Sequence, residues 1–565
     1  MNKYLKSVEN WVIVAVFLMI TLLDAGGFFE YTSAVLAIAG IVAMAFFMWQ
    51  DKCLCYVKDW NTIALSVFTV MYLISAFWAV DSGMAVMGFV KFLPAILFYG
   101  ILCRTLDGRE KIIRILPSVG VLLVFFGTIM MQFESMKSYV SVAGRFAGSF
   151  QYPNTFALFL LVCFLITVFD LEDMVLKIGY SACLLFGILY TGSRTVWVLT
   201  AGVLLFLAFY NRKYRRASVI AFLVVCSVIA GILIFAGDST IGLRLKAMSL
   251  TSSTLLGRLL YAKDAVKLVV SHPFGLGYYG YYFMEQEIQT GVYSVVNVHN
   301  EFLQIALDIG IIPAILFWGM IIRSVICKGQ PVRNRIILLV MALHSLFDYN
   351  FQFIGMIFVL LLFLSYGELQ KVQISSFTYV TAGIAAIAGI GLSVLCGVSN
   401  ACYLRGSYKT AFRFGELNTM AEISQMEKET DLDQMKQTAQ DILNRNSHVP
   451  AAYSVIAKGY YADGDIEKYI FYQMKAMRLA PYQTDAYVDY VNSLANACTQ
   501  YLNNGDKESA KVCLDRIKEV PEILNEVKEK TSDLAWKIKD KPNLTLPEEY
   551  ESLVQSMEEA VNGNQ

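Results

Sequence analysis

The chain has no net charge, because its 46 lysines and arginines are matched by 46 aspartates and glutamates. It lacks the global field that would draw it to nucleic acid or to an acidic partner, so any useful charge must act locally. No nucleic-acid partner is expected. Eleven cysteines are scattered along it, several inside apolar runs (Cys163, Cys183, Cys226). Apart from the close pair Cys53 and Cys55, none stands at a metal-ligand or disulfide spacing. They read as small apolar residues, and neither a metal nor a cofactor is implied. A small-residue cleavage site is also missing after the first apolar run, which follows Lys3 and Lys6. That run is therefore expected to stay as a first membrane span and not to be removed as a signal peptide.

What the chain has in excess is apolar surface. Hydrophobic residues make up 56% of it and the mean hydropathy is +0.52, too apolar for a set of ordinary soluble domains. As far as about residue 398 the sequence is a series of apolar runs, beginning with 11–23 and 31–49 and ending with 302–322, 336–347, 351–364 and 377–396. At 1.5 Å rise per residue these are about thirteen candidate spans. The expected fold is all-α: a polytopic membrane domain of about 12–13 helices over residues 1–398, with a large external loop at about 237–300, and a soluble helical domain over 399–565.

Lys and Arg collect in alternate short loops: Lys52 and Lys58; Arg104, Arg109 and Lys111; Arg212, Lys213, Arg215 and Arg216; Arg323, Lys328, Arg333 and Arg335. The positive-inside rule makes these cytoplasmic. The other set faces outward and holds the two long connections, 132–154 and 237–300. An odd number of spans puts the tail outside as well. Within the tail, Tyr453, Ile456, Ala457, Tyr460, a turn at Asp463, Gly464 and Asp465, then Tyr469, Ala476 and Pro481 fall where a tetratricopeptide repeat of about 34 residues places its small and aromatic positions. Helical neighbours are expected near 435–444 and 484–502, since one helix pair cannot bury its own apolar face.

The outward connections hold arginines on the side that the orientation rule disfavours. Arg145 lies in the glycine-rich segment 144–154, Arg194 in the turn Thr191, Gly192, Ser193, and Arg258 in the long connection, followed by His272, Pro273, Phe274, Gly275, Leu276 and Gly277. His299 and Asn300 stand where that connection returns to the membrane. A guanidinium fork stays charged and matches phosphate oxygens, so several together suit a diphosphate. An imidazole can take the proton of an attacking hydroxyl. Each residue also has a plainer role. A lone interfacial Arg is usually a snorkelling anchor, His299 could start a helix, and His272 reads as structural. His344 and Asp348, one helical turn apart, could pair with each other. Lys91 reads as an anchor that reaches the outer surface.

At these residues the sequence resembles the O-antigen ligase and polysaccharide polymerase superfamily of bacterial membrane glycosyltransferases. The most specific match is the stretch from His299 and Asn300 to Gly310. Asp308 stands where an acidic residue, often Glu, is usual, and Pro313 where many members have a small one. The resemblance implies inverting, metal-independent transfer of a glycan from an undecaprenyl diphosphate carrier, on the outer face of the bacterial cytoplasmic membrane. His299 would be the catalytic residue, as general base or by orienting the acceptor hydroxyl; Arg194 and Arg258 would hold the diphosphate with Arg145 assisting; Asn300, Asp348 and His344 would support them. The acceptor could be a glycan, a lipid, a wall anchor or a protein hydroxyl, the last making the chain a protein O-oligosaccharyltransferase. By the same analogy the tail could present an acceptor or a protein partner, or serve as a scaffold. A transporter or flippase for polyprenyl lipids would also need many spans. Against it, the spans carry few ionisable residues at mid-depth and show no paired halves with interrupted helices.

Overall fold

The computed structural model describes residues 2–249 and 252–563, and all of the apolar runs lie in helices. Eight of the described helices are long and apolar enough to cross a membrane, from Glu30–Asp51 to Ser376–Leu404. The apolar helices Trp11–Leu23, Arg194–Tyr210, Ile311–Ile326 and Ile354–Phe363 are shorter. Val332–Ser345 is the most polar of the set and opens on Arg333, Asn334 and Arg335. Composition sets where each helix sits. Pro153–Asp170 and Ile354–Phe363 are apolar on every side, and both lie buried at the centre of the bundle. Arg212–Phe235 and Ser376–Leu404 are as apolar but leave Ile234, Phe235, Phe377 and Ile387 exposed. In water such faces would aggregate; in hydrocarbon they are the lipid-facing wall, and the chain is a multi-pass membrane protein.

The basic loops meet at one end of the bundle. There Arg333 pairs with Glu110 at 3.0 Å and with Asp170, Arg104 pairs with Asp51, and Arg109 donates to the Leu364 carbonyl at 3.0 Å. At the same end Cys53–Lys58 and Glu368–Gln373 form an antiparallel pair with Cys55 opposite Lys371. A second ribbon joins Ser141–Val142 to Arg145–Phe146. The chain is nearly all-α as expected, with two short sheets added: one is closed by the local turn at Ala143 and Gly144, the other by contact between distant segments.

Two further expectations are corrected. The run 302–322 is not one helix: it breaks at Gly310 into Glu301–Ile309 and Ile311–Ile326. Gly310 has φ +99°, and a Cβ there would sit 2.8 Å from the Pro273 carbonyl oxygen. The segment from His272 to Gly277 fills the break, with Leu276 N donating to Leu307 O at 2.6 Å and Ile311 N to Pro273 O at 3.0 Å. Lys91 does not reach the surface. It is buried, donates to the Tyr278 hydroxyl at 2.8 Å, lies 3.6 Å from Glu30 and sits over the Phe28 ring. A paired, desolvated cation costs less there than one left facing hydrocarbon.

The tail is helical. Pro450–Ala462 and Ile466–Leu479 are joined at Gly464 (φ +78°), with Leu432–Arg445 before them and Thr484–Asn503 and Lys507–Lys530 after. Tyr469, Tyr490, Leu494 and Ile517 belong to a core of its own. It packs on the bundle end opposite the basic loops: Asn446 Nδ2 donates to Asp81 at 3.2 Å, and Ser532 N to Thr290 O at 2.8 Å. Gly310→Ala is expected to cost about 2 kcal/mol from backbone strain and collision at the break. It should lower the melting temperature of the purified protein. Gly202→Ala, which meets nothing within 4 Å inside a helix, should not lower it and should raise it slightly through the better helix propensity of alanine.

Candidate active site

The site begins with a tight turn. Ala143 and Gly144, both at positive φ, close the ribbon that carries Arg145. Phe146 and Phe150, both fully buried, anchor the following segment, and Pro153 opens the central helix Pro153–Asp170 with Asn154 in its first turn. Arg145 therefore reaches two partners: its Nε donates to the Thr191 carbonyl at 3.0 Å and a terminal nitrogen to Asn154 Oδ1 at 2.8 Å. Thr191 is the last residue of the helix Met174–Thr191, and Gly192 (φ +66°) turns the chain back so that Arg194 starts the next helix. The Gly192 carbonyl accepts from Arg244 Nε at 2.8 Å. Two guanidinium groups thus converge on the negative end of one helix dipole. Arg194 donates to the Ala247 carbonyl at 3.0 Å, tying the external connection to the same corner.

Asp348 is the hub. It is fully buried in the loop between Val332–Ser345 and Ile354–Phe363, and it accepts from Tyr152 Oη at 2.7 Å, Asn154 Nδ2 at 2.7 Å and the Tyr349 amide at 3.1 Å. His299 Nδ1 lies 3.1 Å from Oδ1, and Arg258 reaches Oδ2 at 3.5 Å while donating to the Phe347 carbonyl. A carboxylate at Nδ1 fixes the tautomer with that nitrogen protonated, leaving Nε2 as a free acceptor. The His299 side chain is 20% exposed. The Tyr349 ring stands 5.1 Å and the Tyr261 ring 6.3 Å from the imidazole.

The loops that carry His299 and Asp348 are stitched together. Asn300 caps its helix by accepting from Leu303 N at 3.0 Å, and its amide donates to Leu346 O at 3.0 Å. The buried Glu301 accepts from Phe351 N at 2.8 Å. His344 does not pair with Asp348, contrary to the sequence expectation. Its Nδ1 meets Asn350 at 3.0 Å, because the chain leaves the helix after Ser345 and Asp348 turns toward His299. His272 stays away from the cluster, with Nδ1 at 2.9 Å from Ser271 Oγ.

The electrostatics follow from this crowding. Burial alone would raise the Asp348 pKa, but Arg258 and the His299 contact outweigh it and hold the carboxyl well below the usual range. Burial, then repulsion from Arg244, lowers the Arg145 pKa to about 10. Arg244 is lowered by burial and by the nearby Arg194 and Arg258. Four guanidinium groups are therefore close enough to repel one another around one carboxylate. That surplus suits a multiply charged anion and disfavours a metal cation. At the opposite end of the bundle Asp51, Cys53 and Cys55 bring three donor atoms within 4.8 Å, but Arg104 already neutralises Asp51 there.

The sequence singled out Arg145, Arg194, Arg258, His299, Asn300 and Asp348, and the structure brings them to one corner. It adds Arg244 and Tyr349, and it brings to the same corner Tyr152 and Asn154 of the segment 144–154 and Tyr261, which follows Arg258. Arg244 had a legible signal, because it too is an arginine in an outward connection. Asp348→Ala should cost about 3–5 kcal/mol by leaving the guanidinium groups uncompensated. Adding Arg258→Ala should recover at least about 1 kcal/mol of that loss in a double-mutant cycle on the purified protein. Simple additivity would show that the two do not interact.

No curated protein matches the chain. Residues 179–318, a quarter of the sequence that includes Arg194, Arg244, Arg258 and His299, match the family model described as O-Antigen ligase. That match supports glycosyl transfer of the ligase or polymerase type in general, by a segment similar to that family.

Proposed function

We propose that this protein transfers or polymerises a glycan carried on undecaprenyl diphosphate, on the outer face of the bacterial cytoplasmic membrane, for surface polysaccharide assembly. The observation that carries the reading is the surplus of guanidinium charge beside an imidazole oriented by a buried carboxylate. Arg145, Arg194, Arg244 and Arg258 hold the diphosphate. His299 Nε2 takes the proton of the acceptor hydroxyl. The acceptor oxygen attacks the anomeric carbon on the face opposite the leaving group, the bond from that carbon to the phosphate oxygen breaks, and the diphosphate departs with inverted stereochemistry at the sugar. The arginines stabilise the charge that grows on the leaving oxygen, a gain concentrated in the transition state. Asp348 orients the imidazole and steadies its protonated form, and Asn300 holds the His299 loop against the Asp348 loop. His344 supports Asn350 behind that loop.

Residues 1–398 form the catalytic domain in this reading and 399–565 a tetratricopeptide-like domain on the same outer side. The basic loops at the opposite end of the bundle agree with that orientation. With lipid-linked glycan as donor, His299→Ala should lower kcat by about 10²–10⁴-fold. Arg244→Ala and Arg258→Ala should lower kcat/KM for the donor, and all three variants should keep the wild-type fold by circular dichroism. Undiminished transfer by His299→Ala would refute the assignment. Lipid movement across vesicles that survived all three substitutions would point instead to a transporter.

A further inference from the structure

A cleft of about 510 Å³ lies between the external connection and the tail, away from His299. Lys267 and Gln289 line one wall; Arg478, Tyr482, Tyr487 and Lys530 line the other. Contacts beside it hold the two walls together. Ser532 N donates to Thr290 O at 2.8 Å, Lys263 Nζ to Ser532 Oγ at 3.1 Å, and His448 lies 3.0 Å from Glu287. A Cβ on Gly291 would lie 2.5 Å from that of Ala535, so the segments touch with no room for a side chain between them.

Its floor is fixed to the candidate active site. Buried Asp264 accepts from the Thr290 amide at 2.8 Å and from the Tyr293 hydroxyl at 3.1 Å. Tyr293 packs at 4.6 Å on Tyr261, whose ring is 6.3 Å from His299. Asp264, Tyr261 and Arg258 belong to one helix, Ser253–Ser271. At about 1.5 Å per residue Lys267 lies about 13 Å along its axis from Arg258. That separation is the reach of a short oligosaccharide and exceeds that of a single sugar.

The lining selects the ligand class. Around the cleft the charges of Lys267, Arg478 and Lys530 are offset by Asp264, Glu287 and Glu526, with Lys267 3.2 Å from Asp264 and Lys530 4.0 Å from Glu526, a balance that does not favour a phosphorylated ligand. Gln289 Oε1 is buried and has no donor among the described residues, an acceptor that a hydroxyl would satisfy. Tyr482, partly exposed, adds an aromatic face, its hydroxyl held by Thr531 at 2.9 Å. The cleft offers no strand edge for a peptide to extend, and its apolar residues, among them Met474, Met477 and Val527, share the lining with Gln289, Arg478 and Lys530. We propose that this cleft binds the acceptor saccharide, holding its inner sugars while its growing end passes Tyr261 to His299. This rests on the transfer reading above.

The test uses the full-length protein in nanodiscs and short end-labelled oligosaccharides released from the producing cell's own surface polysaccharide. Arg478→Ala combined with Gln289→Ala should weaken oligosaccharide binding about tenfold, equivalent to about 1.4 kcal/mol. The acceptor KM should rise to match, with kcat and the donor KM unchanged. His299→Ala should bind the oligosaccharide as wild type does. Unaltered oligosaccharide binding and acceptor KM in the double variant would overturn the proposal, as would displacement of the oligosaccharide by a sugar-free acceptor peptide. If His299→Ala kept full transfer while the double variant still lost binding, the transfer assignment would fall and the saccharide cleft would stand.

Discussion

One buried carboxylate organises this protein's candidate site. Asp348 lies out of water, where an unpaired charge is very costly, and it is tolerated because Tyr152, Asn154, the Tyr349 amide, His299 and Arg258 all turn toward it. Apart from the neighbouring Tyr349 amide, those partners come from the start of the central helix and the residue before it, and from the external connection. Folding the bundle around Asp348 therefore assembles the site. The repulsion among Arg145, Arg194, Arg244 and Arg258 remains as a standing deficit of negative charge, which a diphosphate would fill.

The break at Gly310 serves the same end. A continuous helix would carry the His299 end straight along the axis of Ile311–Ile326. The break lets Glu301–Ile309 turn away, and its far end is tied in by Asp308, which accepts from Tyr72 at 2.9 Å and Gln304 at 2.9 Å. Gln304 Oε1 in turn accepts from Val298 N at 2.8 Å, next to His299. The segment from His272 to Gly277 is thus a wedge that sets the direction of the helix that follows His299. The interruption also removes one argument that the sequence offered against a transporter. The weight shifts to the guanidinium cluster and to the similarity of residues 179–318 to O-antigen ligases.

The helices were legible because hydrocarbon imposes a length and a composition that soluble folds do not. The corner arginines were legible because they violate the charge rule for outward loops. Features decided by long-range contact were not. Nothing near Cys53 announces a partner strand beginning at Glu368, and nothing around Lys91 says that Glu30 and Tyr278 will enclose it. Spacing along a helix suggested that His344 and Asp348 pair, but the helix ends at Ser345 and spatial neighbours win over sequence neighbours. The Gly310 break was hidden because glycine is common in membrane helices, and only the approach of Pro273 gives it meaning.

Everything proposed for this chain depends on the shared anion site. Binding of undecaprenyl diphosphate to the full-length protein in nanodiscs, followed by native mass spectrometry without any acceptor or turnover, tests it most directly. Arg244→Ala and Arg258→Ala should each lose most of the bound lipid while His299→Ala retains it. Wild-type retention of the lipid by both arginine variants would contradict a shared anion site.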